Sequence, residues 1–289
     1  MAHKYLATIE LYFDIKFNIM NNSKRIALIS DIHGNVPALS AVLSDIENNS
    51  VDSIICLGDV ATLGPAPSET VKMIKDLDCH CIMGNHEEVL FFPERADEFK
   101  IRGKMLQDSI YWCLDKLDSE DMSFLNEFKH TLSVHLGVGA SMLCYHGSPN
   151  SSIDSVLPNT PNDDLEQIIE TDNSIKIAVG GHTHSQMFKK YKETIIINPG
   201  SVGFAFVNPS FTPSAPSLSP VAEYAIVEYS KGKISVDLKS IGYKFEDFKL
   251  MVKNSDIPSK EWWIGEFDRI AQALLPDNPK DRTSHLCLS

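Results

Sequence analysis

One recurring pattern limits the possible folds of this chain more than any other. Five times, a short aliphatic run ends in Gly, Asp, Asn or His and passes into a loop. The runs are residues 25–30 before DIHGN, 53–57 before GDV, 79–83 before GNHE, 141–145 before HGSP and 175–179 before GGHTH. Four to six β-branched and aliphatic residues bounded by Gly read as strands. A strand that is apolar throughout, without alternation, is covered on both faces. Helical spacing fills the gaps. Residues 37–48 place Leu39, Val42, Leu43 and Ile46 on one face, with Asn35 as a cap and Pro37 in the first turn. Ser68 is the expected cap of a second helix carrying Val71, Ile74 and Leu77, a longer helix is expected over about residues 97–117, and Ser119 is expected to open a short one through Phe128. Strands and helices in alternation predict an α/β fold with helices on both sides of a sheet. Beyond Gly181, residues 194–197, 223–229 and 233–238 alternate like half-buried antiparallel strands, and helical patterns follow at 245–253 and 260–275.

Charge narrows the possible partners. The 289 residues carry 26 Lys and Arg against 39 Asp and Glu, a net charge of −13. A chain this acidic lacks the basic footprint of a general nucleic-acid binder and is repelled by anionic membranes. No apolar run reaches the roughly 18–20 residues that span a bilayer. Lys4, Glu10, Asp14 and Lys16 interrupt the first twenty residues, so they do not read as a secretory signal. Most of the cysteines sit inside apolar runs, where Cys acts as a small hydrophobe. The expectation is a reduced, cytoplasmic protein with no indicated homo-oligomer. Residues 1–23 read as an extension, 24–241 as one domain with 88–130 as a helical lid, and 242–289 as a C-terminal helical segment. The Pro- and Ser-rich stretch 204–220 reads as a loop.

The chemistry lies at the ends of the five runs. Asp31 and His33 are two apart, as are His182 and His184 behind a double Gly, a spacing that lets both side chains of a pair reach one ion. Asp59 follows Gly58, Asn85 and His86 follow Gly84, and His146 closes the fourth run. Taken singly, each has an ordinary reading as a turn former, helix cap or core histidine. Together they differ, because loops at the carboxyl ends of strands in an open α/β sheet converge on one rim. Four His, two Asp and one Asn gathered there without a basic partner form a costly polar cluster that divalent cations relieve. Imidazole, carboxylate and amide donors without thiolate suit Mn²⁺, Fe, Zn²⁺ or Ni²⁺. Two such ions about 3.5–4 Å apart form a clamp for displacement at phosphorus.

The ordered set Asp31-Ile32-His33, Gly58-Asp59, Gly84-Asn85-His86-Glu87, His146-Gly147 and Gly180-Gly181-His182-Thr183-His184 resembles the calcineurin-like metallophosphoesterases over residues 25–241. That resemblance implies a four-layer α/β/β/α sandwich with two divalent metal ions, Mn²⁺ foremost, at the sheet ends. It implies Asp31, His33 and His184 on the first ion, Asn85, His146 and His182 on the second, and Asp59 bridging them. His86 is expected not to bind metal but to contact the substrate, with Asn85 beside it, and to hydrogen-bond the phosphoryl group or protonate the leaving oxygen; Asp59 or Asp31 is expected to raise its pKa. Attack by a water or hydroxide held between the ions is the expected chemistry. The HGN tripeptide, the GDVATLGPAP stretch and residues 198–203 (NPGSVG) resemble the small prokaryotic phosphodiesterase branch, which includes hydrolases of dinucleoside tetraphosphates.

Two departures matter. Protein phosphatases of this family follow Gly-Asp with Asp and Arg-Gly, whereas residues 58–64 here read GDVATLG. No Arg is offered for a bidentate grip on phosphoserine. Where the favoured branch often has Gln-Pro-Arg, this chain has Phe204-Ala205-Phe206, two rings that either stack on a base or anchor the loop. Glu87 and Glu88 read as solvated groups or as supports rather than catalysts. The expected function is hydrolysis of small phosphodiesters, phosphomonoesters or nucleotides; a serine/threonine-type protein phosphatase and a non-catalytic scaffold of the same fold are the alternatives.

Overall fold

A computed structural model describes residues 23–169, 173–206, 218–258 and 260–274. The expected extension at 1–23 lies outside these residues except for Ser23, as do positions 207–217 of the Pro/Ser loop and the end of the C-terminal segment from 275.

Within the described residues the strands form two five-stranded sheets. The first has the order β10-β9-β1-β2-β3, from β1 (Lys24–Ile29), β2 (Ser53–Cys56), β3 (His80–Cys81), β9 (Val221–Ser230) and β10 (Lys233–Gly242). The second has the order β4-β5-β6-β8-β7, from β4 (Leu132–Gly137), β5 (Ala140–Cys144), β6 (Ile175–Val179), β7 (Met187–Tyr191) and β8 (Thr194–Asn198). Strands β1, β2 and β3 run parallel, as do β5, β6 and β8, so their carboxyl ends lie together at one edge of each sheet.

The family resemblance implies a four-layer arrangement, and the packing has one; instead of helices on both sides of one sheet, each sheet has helices on one face and the other sheet on its second face. Along β1, Ile26 and Leu28 face the second sheet, where they meet Met142, Cys144, Ile177 and Val179. The alternate residues Ala27 and Ile29 face the helices instead, packing with Leu39, Val42 and Ile46 of α1 (Val36–Asn48) and with Val71 and Ile74 of α2 (Pro67–Asp76). The outer face of the second sheet, through Ala178 and Ile196, is covered by Leu165 of α6 (Asn162–Ile168) and by Ile169. Helix, sheet, sheet and helix therefore stack in that order.

Several local expectations shift. Asn35 caps α1 as expected, its Oδ1 accepting from the Ala38 N–H at 3.1 Å. The second helix instead begins at Pro67 after Ala66, and the Ser68 hydroxyl donates to Asp121 at 2.8 Å. The long helix expected over 97–117 is only α4 (Lys104–Lys116), because Lys100 (φ 65°) and Gly103 (φ 89°) take left-handed conformations that a helix cannot contain. The short helix α5 (Ser119–Leu125) is capped by Asp118, which accepts from the N–H groups of Glu120 and Asp121. Residues 85–128 pack through Val89, Leu90, Ile101, Ile110, Cys113 and Phe128 onto the helical side of the first sheet. At the C-terminal end, α7 (Phe245–Asn254) and α8 (Lys260–Leu274) form a separate aromatic cluster of Phe248, Trp263 and Phe267 around Phe204. No described helix is long and apolar enough to cross a membrane.

Candidate metal centre

Each of the five strand ends delivers its polar residue to one place. Asp31 and His33 follow β1, and Asp59 follows β2. Asn85 and His86 open α3 (Asn85–Phe91) just beyond β3, while His146 follows β5 and His182 and His184 follow β6. Asp31, His33, Asp59, Asn85 and His146 are all buried. Both sheets contribute, so the cluster straddles the seam between them.

Two groups of side chains are close enough to share an ion each. Asp31, His33 and His184 form the first, and Asp59, His146 and His182 the second. In the first group His184 Nε2 lies 3.3 Å from Asp31 Oδ1 and 3.1 Å from His33 Nε2. In the second, Asn85 Oδ1 lies 3.1 Å from both His146 Nε2 and His182 Nδ1, and Asp59 Oδ2 is 3.3 Å from His146 Nε2. Asp59 Oδ2 also lies 3.8 Å from His33 Nε2, so this carboxylate faces both groups. His33, Asp59 and His86 form a third, overlapping group.

Tautomers decide what this convergence means. His146 Nδ1–H donates to the Leu57 carbonyl at 2.6 Å, and His184 Nδ1–H donates to the Phe204 carbonyl at 2.9 Å. Each ring therefore points its Nε2 inward, where the neutral form offers a lone pair. Asn85 Nδ2 donates outward to the Phe99 carbonyl at 3.0 Å, which turns its Oδ1 inward as well. With both rings neutral, their lone pairs would face carboxylate and amide oxygens, and Asp31 Oδ1 is buried without a hydrogen-bond partner. Such a set calls for positive charge among its members, from bound cations or, without them, from protons on the rings. The residues present fit divalent metal ions.

The local field agrees. Burial, the largest single influence on His146, opposes its charging, yet Asp59, Asp31 and the Leu57 carbonyl outweigh it and raise the pKa to about 10. Burial likewise favours protonation of Asp31, but His184 and His146 reverse this and lower its pKa to about 2. Burial dominates at His182, lowering it to about 4, and places His33 well below the usual imidazole range. For His86 the expected upward shift does not occur. Burial lowers its pKa and outweighs Asp59 and Asp31. Its ring meets His33 edge-on at 4.9 Å, its Nδ1 lies 2.7 Å from Thr62 Oγ1, and its backbone N–H donates to Asp59 Oδ1 at 3.0 Å.

Supporting residues surround the cluster, and the sequence patterns leave two readings open for each. Glu87 is fully buried rather than solvated. Its carboxylate accepts from the backbone N–H groups of Asp59 (2.7 Å), Val60 (2.7 Å) and Gly84 (3.0 Å), tying the β2 loop to the start of α3. Gly84 is required there, because a Cβ on it would lie 2.1 Å from Asp59 Oδ1. Position was the available signal, since Glu87 is the third residue of a helix opening and can reach back to the cap. Phe204 is a loop anchor. It is buried, stacks on His33 at 5.4 Å with 12° between the rings, and stacks on Trp263 at 5.1 Å on its other side. Phe206 stacks on His184 at 5.1 Å.

A site of this kind, at the carboxyl ends of two stacked sheets, defines a metal-dependent phosphoric ester hydrolase. The family model of the calcineurin-like phosphoesterase superfamily domain matches residues 25–228, and the chain belongs to that superfamily. An uncharacterized protein of Methanocaldococcus jannaschii, MJ0912, is 26% identical over 246 residues, covering 83% of this chain and 96% of the relative. A metallophosphoesterase from Sphaerobacter thermophilus has a similar structure, with a TM-score of 0.63 and 24% identity over 86% of this chain and 99% of the other. The hypothetical protein PH1004 from Pyrococcus horikoshii OT3 is likewise similar in fold, with a TM-score of 0.68 and 19% identity over 85% of this chain and 97% of the other.

Proposed function

We propose that the chain hydrolyses small phosphodiesters, phosphomonoesters or nucleotides with two divalent ions, Mn²⁺ foremost. The observation that carries this reading is the convergence of three imidazole Nε2 atoms, of His33, His146 and His184, on the orphaned Asp31 Oδ1. Asp31, His33 and His184 would hold one ion, and Asn85, His146 and His182 the other, with Asp59 shared. When bound, such ions supply Lewis acidity toward phosphoryl oxygens and a nucleophile at neutral pH. The chain supplies the rest. The carbonyls of Leu57 and Phe204 fix the tautomers of His146 and His184, so that both rings present Nε2. Glu87 holds the Asp59 backbone, and the His86 N–H fixes one Asp59 oxygen, leaving Oδ2 toward the two groups. His86 is held by Thr62 at the edge of the site, from where its imidazole would hydrogen-bond the phosphoryl group.

The test is hydrolysis of bis-p-nitrophenyl phosphate by metal-free protein with Mn²⁺ added back. Activity should appear with the metal, vanish in Asp59→Asn, and fall at least about 100-fold in His86→Ala while that variant still binds metal. Undiminished turnover in Asp59→Asn would remove the shared carboxylate from the mechanism. Faster turnover of a phosphopeptide would favour the protein-phosphatase alternative, which the Arg-free GDVATLG segment opposes. Bound ions without turnover of any phosphoester would favour a scaffold.

A further inference from the structure

Beside the metal centre lies a cavity of about 180 Å³ lined by His146 and Met83 together with Glu88, His130, Ser151 and Ser152. Its lining is polar and contains neither Lys nor Arg among the described residues. Among the described residues Glu88 is the only acidic one in the lining, and its side chain is 23% exposed. One carboxylate oxygen accepts from the Ser152 hydroxyl, and the other lies 3.7 Å from His130 Nδ1, too far for a hydrogen bond. Ser151 Oγ accepts from the Ile153 N–H at 3.3 Å, which leaves its O–H to donate. Asp154, close by in sequence, is engaged by the Ser148 hydroxyl at 2.6 Å.

We infer that this cavity is the subsite for the ester substituent of the substrate, and that it takes an uncharged group bearing vicinal hydroxyls, of the glycerol or ribose type. The inference rests on the hydrolase reading above. A carboxylate with open lone pairs accepts hydroxyl hydrogens in a charge-assisted way, and adjacent hydroxyls can share one carboxylate. Serine hydroxyls both donate and accept, which matches a diol atom for atom. A second phosphate or a polyphosphate tail would meet the Glu88 carboxylate here with no Lys or Arg in the described lining to balance it, which argues against dinucleoside polyphosphates as substrates. A quaternary ammonium group would look for aromatic walls, and no aromatic ring other than imidazole lines the cavity among the described residues.

The test compares the p-nitrophenyl phosphodiesters of glycerol and of n-propanol, which share a leaving group and differ only in the two hydroxyls. The glycerol diester should have kcat/KM about tenfold higher, with the gain in KM. In Glu88→Gln the ratio of the two substrates should fall to within about twofold, and the ratio is internal to whatever fraction of the variant folds. Calorimetric binding of glycerol phosphate against propyl phosphate to the Mn²⁺-loaded protein reads the same preference without turnover. Equal values for the two esters, an unchanged ratio in Glu88→Gln, or a preference for the ethanolamine diester over the glycerol one would overturn the subsite. Loss of turnover on both diesters and on bis-p-nitrophenyl phosphate, with the glycerol preference intact in calorimetry, would instead overturn the hydrolase reading alone.

Discussion

Asp31, His33, Asp59, His182 and His184 all have positive φ, between 48° and 67°. Each is a non-glycine residue in the left-handed region, a conformation that costs roughly 1–2 kcal/mol per residue and persists only where surrounding structure enforces it. The identities of these residues were legible in the sequence, because Asp, Asn and His after an aliphatic run are conspicuous. Their conformations were not, and neither was the residue that does most to hold them. Glu87 looked like one of two adjacent acids, and only the fold shows that it answers three buried N–H groups. Glu87→Ala should therefore destabilise the protein by at least about 3 kcal/mol, since each stranded N–H costs about 1–3 kcal/mol. Glu87→Gln should recover part of this through its amide oxygen. Urea unfolding of both variants checks the order. Glu223 makes a second prediction at this scale. Burial raises its pKa from 4.5 to about 7, outweighing the N–H bond and His184. A carboxyl that holds its proton more tightly when folded loses stability as pH rises from about 4.5 to 7, because the folded state binds more protons in that window. In chelator-treated protein the stability of Glu223→Gln relative to the parent should rise across that interval and level off above pH 7. A difference independent of pH would contradict it.

Elements were legible where burial was one-sided or complete, and obscure where local conformation overrode pattern. β1, β2, β5 and β6 announced themselves because each is apolar on both faces, a demand that only a central strand between two layers makes. The helix expected over 97–117 failed in its first turns, where Lys100 and Gly103 adopt left-handed conformations that no hydrophobic spacing reports. β4 and β7, at the two edges of the second sheet, escaped notice because polar residues (Ser133 and His135 in one, Lys189 and Lys190 in the other) break the apolar run. The C-terminal pair α7 and α8 had no assigned role from sequence, yet Trp263 lies behind Phe204, which lies behind His33. A helix far along the chain thus supports a candidate ligand through two stacked rings. Trp263→Ala should cost about 3–5 kcal/mol by opening a cavity. It should also weaken binding at the Asp31–His33–His184 group more than at the Asp59–His146–His182 group. Competition against a chelator, resolved into two binding steps, measures the second effect; Trp263→Phe should restore it. Equal weakening at both groups would reduce Trp263 to general packing.

At the scale of the whole molecule, each candidate ligand group joins the two sheets. Asp31 and His33 come from the first sheet and His184 from the second; Asp59 and Asn85 come from the first, His146 and His182 from the second. The apolar seam of Leu28, Ile55, Met142, Ile177 and Val227 holds the sheets together regardless of ions. At the rim, however, ring nitrogens and carboxylate and amide oxygens from the two sheets face one another, and a cation there acts as a clasp. Removing it leaves Asp31 and Asp59 buried together, and their charge favours protons on His146 and His184 as partial substitutes. Chelation should therefore loosen the rim while leaving the seam intact. A ligand that binds only the folded state at 100 times its Kd adds about 2.7 kcal/mol per site. Adding Mn²⁺ to metal-free protein should accordingly raise the melting temperature by several degrees for a domain of this size. Hydrogen exchange should slow at residues 31–35, 58–60, 84–87, 146–148 and 181–185 and stay unchanged at Leu28, Ile55 and Ile177. Uniform slowing across both regions would mean that the ions stabilise the fold as a whole. No slowing at the rim would mean that the two sheets meet there without a shared ion.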